Sequence, residues 1–279
     1  MPLFQTCYRA AYCRAPLQDL KCIVYPMPSI ETRTLWIGLP AYNEEATIPA
    51  LFPRFKEVFP NPSAAYRIVL YNDGCTDRTV ERALEWQDRL NIEVIGKPVN
   101  MGLGEGVRSL VAHVAERGAA DDVLFLMDCD DTHHPRQFAE MLAALDTGYD
   151  VVIASRYQAG SRIAGVAAYR QVLSLGAATL FKMLHWCRGV RDYTCGFRGY
   201  RIAVLQHARA HYGARLIQER GFACMVELLL KLNHLGARMC EVPLDLRYDL
   251  KHSASKMDVG GTTVRLLKKL IAWRIRGLQ

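Results

Sequence analysis

The sequence predicts an α/β fold with a central, mostly parallel β-sheet that is flanked by helices. Two observations support this prediction. Short apolar segments alternate with longer segments of helical periodicity between residues 34 and 154. The polar residues best suited to chemistry follow directly after these apolar segments, where the strands of such a sheet end at one edge.

The predicted elements follow one another in a regular order. The predicted strands are TLWIGL (34–39), YRIVLY (66–71), IEVI (92–95), DVLFLM (122–127) and DVVIA (150–154). The predicted helices lie near residues 46–59, 76–90, 103–117 and 135–145. Pro53 argues against continuity of the first helix. Beyond residue 155 we expect a Gly- and Arg-rich loop (156–165), an apolar helix (166–187), a short strand within 192–201 and a helix over 222–235.

We divide the chain into three parts. Residues 1–33 form an N-terminal extension, residues 34–257 form the main domain with halves 34–155 and 156–257, and residues 258–279 form a basic amphipathic tail. The extension lacks the continuous apolar region of an export signal. No run approaches the roughly 18–20 apolar residues that span a bilayer, so we expect no transmembrane helix.

The composition limits the function further. The net charge of +7, from 35 basic and 28 acidic residues, is too small to indicate nucleic-acid binding, so we expect none. An anionic substrate or a membrane surface fits this charge equally well. The nine cysteines are scattered and contain no Cys-x-x-Cys pair, which indicates reduced thiols in a cytoplasmic protein.

The segment FLMDCDDTHHP (125–135) ends an apolar run in a group of acids. These acids are Asp128, Asp130 and Asp131. Carboxylates this close at a strand end can converge on Mg²⁺ or Mn²⁺, cations that prefer oxygen ligands and share them with phosphates. His133 and His134 suggest zinc, but no second cluster of nitrogen or sulfur ligands accompanies them. We interpret one histidine as lining the site and Pro135 as starting the next helix.

Four residues that follow the first two strands form a second candidate site. They are Pro40, Tyr42 and Glu44 in PAYNEE and Asp73 in NDGCTDRT. The aromatic ring would cover a nucleobase, and the carboxylates would accept hydrogen bonds from ring or sugar donors. Thr76 and Asp77 are equally well explained as caps of the following helix.

The glycine-rich segment NMGLGEGVR (100–108) opens the helix that follows the third strand. Its Gly-x-Gly-x-Gly spacing departs from the dinucleotide fingerprint, which follows the first strand of a sheet. A tight turn with close backbone packing explains these glycines as well. Lys97, just before the turn, could reach a phosphate.

Two basic clusters follow the fifth predicted strand. The first contains Arg156, Arg162 and Arg170, and the second contains Arg247, Lys251, His252 and Lys256. Charged segments often only face water, but the planar guanidinium group suits phosphate binding. Two such clusters and a metal site exceed the needs of one diphosphate, which indicates a second anionic substrate.

The C-terminal segment is amphipathic. Val264, Leu267, Ile271 and Ile275 lie on one helical side, which Leu266, Leu270 and Trp273 extend; Arg265, Lys268, Lys269 and Arg276 lie on the other. A basic amphipathic helix can lie in a membrane interface, and a helix docked on the core has the same pattern. The sequence leaves both interpretations open.

The motifs of residues 35–257, and the order in which they occur, resemble those of glycosyltransferase family 2 enzymes of the GT-A fold. The resemblance is greatest to the dolichol-phosphate mannosyltransferase or polyprenol-phosphate glycosyltransferase branch. It rests on PAYNE, NDGCTD, NMGLGEG, DCDDTHHP, ASRY, DYTCGFRGYR, ERGFACMVE and EVPLDLRYDLKHSASKM. Three features depart from the family pattern: Asn72 replaces an acid, Asp131 replaces an apolar residue, and the last motif is about one residue longer than expected.

The resemblance implies a Rossmann-like GT-A sheet and an inverting, metal-dependent hexosyltransferase. It would move a hexose from a GDP-mannose or UDP-glucose type of donor to a polyprenyl or dolichyl phosphate, with possible peripheral contact to the cytoplasmic membrane face. Residues 34–155 would bind the nucleotide sugar and residues 156–257 the acceptor.

The resemblance also implies roles for individual residues. Pro40, Tyr42, Glu44 and Asp73 would hold the nucleoside. Asp128 and Asp130 would bind Mg²⁺ or Mn²⁺ with Thr132 nearby, Arg156 and Arg170 would grip the donor phosphates, and Arg247 or Lys251 would contact the lipid phosphate. Asp130, Arg156, Arg170 and Asp192 are the catalytic candidates.

The acceptor decides whether a general base is needed. A phosphate, with a second pKa of roughly 6, is already ionised near pH 7, whereas a hydroxyl acceptor needs a base. Asp192 and Glu227 are candidates for that base, although each could instead cap a turn or pair with an arginine. Three alternatives remain: a glycosyltransferase with a soluble acceptor, a sugar nucleotidyltransferase and a nicotinamide-dependent oxidoreductase.

Overall fold

The computed structural model describes residues 33–62, 65–165, 176, 179–250 and 259–278. Nearly all of the predicted N-terminal extension lies outside the described residues, as do Arg170, Lys251, His252 and Lys256 and much of the helix predicted over 166–187. Arg33, which the sequence places in the extension, is buried and forms hydrogen bonds of 2.6 and 2.8 Å to the carboxylate of Asp146.

A seven-stranded sheet forms the centre of the structure. The strands of the protein are β1 (Leu35–Ala41), β2 (Tyr66–Asp73), β3 (Ile92–Lys97), β4 (Val123–Leu126), β5 (Val151–Ser155), β6 (Arg162–Ala164), β7 (Arg198–Arg201), β8 (Met239–Pro243) and β9 (Asp245–Arg247). The order of the central sheet is β3-β2-β1-β4-β7-β5-β8. All neighbouring strands of this sheet are parallel except β7, which is antiparallel to both β4 and β5. Strands β6 and β9 form a separate two-stranded parallel sheet. The predicted mostly parallel sheet is confirmed.

Helices pack around this sheet. They are α1 (Ile48–Val58), α2 (Thr79–Leu84), α3 (Leu103–Arg117), α4 (Phe138–Asp146), α5 (Ile202–Tyr212), α6 (Ala223–His234) and α7 (Val259–Arg276). Helix α1 continues through Pro53, because the packing of the fully buried Leu51, Phe52 and Phe55 offsets the backbone hydrogen bond that proline cannot form. Helix α2 is shorter than predicted, and α5 is an addition to the predicted elements.

The parallel register brings the candidate residues to one edge of the sheet. Ala41 at the end of β1 pairs with Asn72 of β2, and Gly38 of β1 pairs with Leu126 at the end of β4. The loops after β1, β2 and β4 therefore begin side by side. Strands β1 and β4 are almost wholly buried, as expected for parallel strands covered on both faces.

Helix α7 docks on the protein through part of the predicted apolar side. Leu266 and Leu270 are buried, whereas Ile271 and Ile275 are 50% and 77% exposed. His185 Nε2 donates a hydrogen bond of 2.9 Å to the carbonyl oxygen of Leu270. No helix within the described ranges is both long and apolar enough to cross a bilayer.

A buried ion pair lies on α6. Lys231 Nζ is 2.8 Å from Glu227 Oε1, and the two side chains are 1% and 2% exposed. We expect Lys231→Met to lower the free energy of unfolding by about 3–5 kcal/mol, because it leaves the Glu227 carboxylate buried without its cation. Urea unfolding followed by circular dichroism measures this change.

The matched control is Arg136→Met, which removes an ion pair to Glu57 whose side chains are 71% and 55% exposed. We expect this control to change the free energy of unfolding by less than about 1 kcal/mol. Equal effects of the two variants would contradict a special role for the buried pair.

Candidate active site

The loops after β1 and β2 are tied together by hydrogen bonds. Thr76 N donates to Asn43 Oδ1 at 2.8 Å, and Glu44 N donates to Thr79 Oγ1 at 2.8 Å. Asn43 has a φ of 53°, the left-handed region that asparagine tolerates better than most residues. This bend holds Tyr42, which is 36% exposed, at the sheet edge beside Pro40.

The loop after β1 also borders a cleft of about 450 Å³. Its lining residues are Asn43, Glu44, Glu45, Ala46, Thr47, Pro49, Asp77 and Arg82. Glu44 thus faces a space of ligand size. The nucleoside contacts of Pro40, Tyr42 and Glu44 stay predictions.

Asp73 at the end of β2 anchors the glycine-rich loop. Its carboxylate oxygens accept hydrogen bonds from Met101 N at 2.8 Å and from Gly102 N at 2.9 Å. The residue is buried, and these two hydrogen bonds satisfy its carboxylate oxygens. Its predicted contact with the nucleoside stays a prediction, but its contact with the loop is direct.

The glycine-rich turn packs closely against residues 219–220. A Cβ atom on Gly104 would lie 1.7 Å from the carbonyl oxygen of Glu219, and Gly104 N donates to the carbonyl oxygen of Arg220 at 2.7 Å. The close-packing interpretation of these glycines is thereby confirmed. Lys97 pairs with Glu105 at 2.6 Å, and this hydrogen bond and charge raise the pKa of Lys97. Its phosphate contact stays a prediction.

The acids after β4 form a candidate metal centre together with a histidine. One ligand atom each from Asp128, Asp130 and His133 lies within 4.8 Å of the others. Thr132 Oγ1 donates a hydrogen bond of 2.6 Å to Asp130 Oδ1, which orients that carboxylate. Two carboxylates and an imidazole form a donor set that fits a divalent cation such as Mg²⁺ or Mn²⁺.

The two histidines beside the acids have different positions. His133 belongs to the candidate metal group, which fits the prediction that one histidine lies at the site. His134 Nδ1 instead accepts a hydrogen bond from Arg136 N at 3.2 Å and caps the 3₁₀ turn Pro135–Gln137. The prediction that Pro135 starts the next helical element is confirmed.

Asp131, the acid that departs from the family pattern, has a cationic partner on α1. Arg54 Nη2 lies 2.8 Å from Asp131 Oδ2, and the Asp131 side chain is fully buried. Asp131 has a φ of 61°, so the backbone turns sharply between Asp130 and Thr132. The ion pair therefore ties the candidate metal-binding loop (residues 127–134) to helix α1.

Arg156, the first residue after β5, is bound by Asp192. The guanidinium group donates to Asp192 Oδ2 from Nε at 2.8 Å and to Oδ1 from Nη2 at 2.6 Å. Burial raises the pKa of Asp192, but the charge of Arg156 and the hydrogen bonds from Arg156 and Cys195 together outweigh burial and lower it. A fully buried carboxylate with this partner is poorly suited to accept a proton as a general base.

Glu241 of β8 fixes the segment that carries Asp192. Its Oε1 accepts hydrogen bonds of 2.6 Å from the backbone N–H groups of both Arg191 and Asp192. Burial raises the pKa of Glu241. The EVP motif is therefore connected through the 191–192 backbone to the Arg156 pair.

The other candidate base, Glu227, is also engaged. Its Oε2 accepts hydrogen bonds from Gln218 N at 2.8 Å and Glu219 N at 2.9 Å, while Lys231 pairs with Oε1. Glu227 thus shapes the segment that packs against the glycine-rich turn. Its position indicates a structural role.

Strand β9 brings Arg247 to the candidate metal-binding loop. Arg247 N donates a hydrogen bond of 2.9 Å to the carbonyl oxygen of Thr132, and His133 forms a backbone bridge with Leu246. The Arg247 side chain is 46% exposed and lies 2.8 Å from Asp249. Its contact with a lipid phosphate stays a prediction.

The sequence profile described as "Glycosyl transferase family 2" matches residues 36–209, which is more than half of the chain. The chain belongs to glycosyltransferase family 2. Its resemblance to the polyprenol-phosphate branch is also supported: the chain is 30% identical over 250 residues to a polyprenol monophosphomannose synthase of Mycolicibacterium smegmatis, with 88% of each chain covered.

Two further relatives carry related names. An undecaprenyl-phosphate mannosyltransferase of Micrococcus luteus is 28% identical, and the match covers 86% of this chain and 96% of that protein. A dolichol-phosphate mannosyltransferase of Pyrococcus furiosus is 28% identical, and the match covers 74% and 54% of the two chains. The predicted polyprenol-phosphate branch of the family is therefore confirmed.

The fold of this glycosyltransferase is also found in a solved structure. Glucosyl-3-phosphoglycerate synthase from Mycobacterium tuberculosis, in complex with Mn²⁺, UDP and phosphoglyceric acid, matches with a TM-score of 0.63 and 20% identity. The match covers 87% of this chain and 79% of that one. The GT-A fold is thereby confirmed.

Several residues of the glycosyltransferase site were not among the sequence predictions. These are Arg54, His133 as a candidate ligand and Glu241. Asp131 gave an indirect signal for Arg54, because a buried acid beside a metal site requires a partner of its own. Glu241, the glutamate of the EVP motif, gave a weaker sequence signal.

Proposed function

We propose that this glycosyltransferase transfers a hexose from a GDP- or UDP-linked donor to a polyprenyl phosphate, with inversion at the anomeric carbon. The observation that carries the proposal is that both candidate general bases are already bound by other groups of the protein. Asp192 is bound by Arg156, and Glu227 by Lys231 and two backbone N–H groups. An acceptor that is already ionised, such as a phosphate monoester, needs neither of them.

The donor diphosphate would lie between the metal-binding loop and Arg156. A divalent cation held by Asp128 and Asp130 would neutralise charge on the diphosphate. Arg156, held in one orientation by Asp192, would stabilise the negative charge that develops as the sugar C1–O bond breaks. The acceptor oxygen would attack C1 from the face opposite the leaving group, which inverts its configuration.

Arg247 supports the acceptor assignment. It lies on the strand that is hydrogen-bonded to Thr132 of the metal-binding loop, so a phosphate near Arg247 would be close to the donor. The names of the relatives, which include polyprenol, undecaprenyl and dolichol phosphate glycosyltransferases, support the same acceptor class.

A product assay tests this proposal. GDP-mannose, UDP-glucose and UDP-N-acetylglucosamine are each incubated with a short polyprenyl phosphate or with 3-phosphoglycerate, and products are identified by mass spectrometry and anomeric NMR. We expect release of a nucleoside diphosphate together with an anomerically inverted glycolipid. Glycosylation of 3-phosphoglycerate alone would favour a soluble acceptor, and release of pyrophosphate would indicate a nucleotidyltransferase.

We also propose that an exposed apolar ridge brings the enzyme to the surface of the lipid bilayer. The ridge consists of Met183 (79% exposed), Trp186 (65%), Ile271 (50%) and Ile275 (77%). The hydrogen bond from His185 to the Leu270 carbonyl joins its two segments. Lys182 Nζ lies 4.8 Å from the Trp186 ring centroid, which adds a positive charge suited to anionic lipids.

We expect the double variant Met183→Ser/Ile275→Ser to bind anionic phospholipid vesicles at least about tenfold more weakly, because two apolar side chains no longer enter the bilayer. Vesicle co-sedimentation measures this binding. Leu84→Ser, which removes an exposed apolar side chain from α2, is the matched control. Equal binding of the double variant and the wild type would contradict a membrane role for the ridge.

A further inference from the structure

His133 is held rigidly next to the two acids of the candidate metal centre. It is buried, and its ring packs against Phe197 with 5.0 Å between the ring centroids. Phe197 is itself fully buried, so the imidazole has little room to rotate. One of its ring nitrogens lies within 4.8 Å of carboxylate oxygens of both Asp128 and Asp130.

The backbone around His133 is fixed from the other side by β9. The bridge between His133 and Leu246 and the hydrogen bond from Arg247 N to the Thr132 carbonyl attach the metal-binding loop to that strand at two adjacent residues. Metal sites depend on such support, because the partners of a ligand fix its orientation. The imidazole is therefore preorganised for metal binding.

The 192–197 segment borders Asp128 on another side. A Cβ atom on Gly196 would lie 3.5 and 3.6 Å from the two carboxylate oxygens of Asp128, so the backbone at Gly196 packs beside this acid. The Asp128 carboxylate thus lies between Gly196 and the ring of His133.

Nitrogen ligation has a consequence for the choice of metal. Mg²⁺ prefers an octahedron of oxygen ligands and retains its waters. Mn²⁺ is a transition-metal ion and accepts an imidazole nitrogen more readily than Mg²⁺ does. We propose that His133 is the third protein ligand of the divalent metal and makes the site prefer Mn²⁺ over Mg²⁺. This inference rests on the proposed function, because it concerns the metal of the same site.

His134 supplies the matched control. It is the neighbouring residue and has the same side chain, but it caps the turn at Pro135 and is not a member of the metal group. A general effect of changing a histidine in this loop would appear in both His133→Gln and His134→Gln. An effect of ligation would appear only in the first.

The test uses Mn²⁺ alone as the probe, with the full chain. Pulsed electron paramagnetic resonance detects ¹⁴N nuclei that are bonded directly to Mn²⁺. Titration of the free Mn²⁺ signal gives the affinity, and competition gives the affinity for Mg²⁺. We expect nitrogen coupling in the wild type and in His134→Gln, and its loss in His133→Gln. We also expect His133→Gln to weaken Mn²⁺ binding about tenfold or more and Mg²⁺ binding by less than about threefold.

Nitrogen coupling that His133→Gln removes supports the proposal, whether or not sugar transfer to a polyprenyl phosphate is detected. Wild-type Mn²⁺ without nitrogen coupling overturns it, even if the enzyme transfers sugar normally. Coupling that persists in His133→Gln, or an unchanged ratio of Mn²⁺ to Mg²⁺ affinity, also overturns it. The product assay and this spectroscopic test therefore fail independently.

Discussion

Asp130→Asn is expected to lower the rate of sugar transfer by about 10³-fold while the fold remains intact. Asp130 is one of the two carboxylates in the candidate metal group, and the amide would no longer neutralise a cation on the donor diphosphate. The amide oxygen can still accept the hydrogen bond that Thr132 Oγ1 donates to Asp130. Release of the nucleoside diphosphate measures the rate, and circular dichroism measures the fold.

The control for this change is Glu140→Gln on the exposed side of α4, which also removes one negative charge. It should retain the wild-type rate within about twofold, since exposed substitutions far from a site have small effects. Excess EDTA should weaken GDP or UDP binding to the wild type as strongly as Asp130→Asn does. Equal nucleotide affinity with and without the chelator would remove the basis for the metal assignment.

Asp192→Asn is expected to lower both the stability and the activity. The Asp192 side chain is fully buried and that of Arg156 is 23% exposed, so the change leaves a largely buried guanidinium group without its carboxylate. We expect a loss of about 3–5 kcal/mol in the free energy of unfolding, together with weaker donor binding. Urea unfolding and the KM for the nucleotide sugar measure the two effects.

The same variant separates a positioning role of Asp192 from a role as general base. Loss of a base would lower kcat with little change in stability. Glu85→Gln, which removes an exposed ion pair with Arg82, is the control and should change the free energy of unfolding by less than about 1 kcal/mol. A variant as stable as this control, with only kcat reduced, would contradict the positioning role.

The Asp192 pair also has a consequence for acid stability. Because the charge of Arg156 lowers the pKa of Asp192 in the folded state, the pair stabilises the protein at pH values above the unfolded pKa of about 3.9. This contribution is lost as the pH falls through the folded pKa. The wild type should therefore lose stability below about pH 4 more steeply than Asp192→Asn does.

The sequence predicted the first half of the fold well, because buried parallel strands leave nearly continuous apolar segments. Helix α3 begins and ends as predicted, and the five predicted strands are present. Strand β9 has three residues and α5 carries scattered arginine and histidine, so neither produced a clear pattern. Helix α7 was predicted, but the sequence did not indicate which of its apolar residues are buried, because only packing selects Leu266 and Leu270 over Ile271 and Ile275.

The sequence predicted which loops form the candidate site, but it did not predict which side chains pair with one another there. Parallel topology places the ends of β1, β2 and β4 together, so the motifs alone located the site. The partners of Asp131 and Asp192 were not predictable in the same way. Arg54 lies on α1 and Arg156 follows β5, and each reaches its acid only through tertiary packing. Likewise, a sequence gives no distance between His133 and Asp128.

The single antiparallel strand makes the two halves of the domain one folding unit. Strand β7 lies between β4, which leads to the metal-binding loop, and β5, which leads to Arg156. It is supplied by Arg198–Arg201, which follow β5 in the sequence. The sheet is therefore incomplete until this later segment inserts between β4 and β5, and the loops after these two strands take their final positions only then. We expect a chain that stops before β7 to fold poorly, because β4 and β5 would each lack a neighbouring strand.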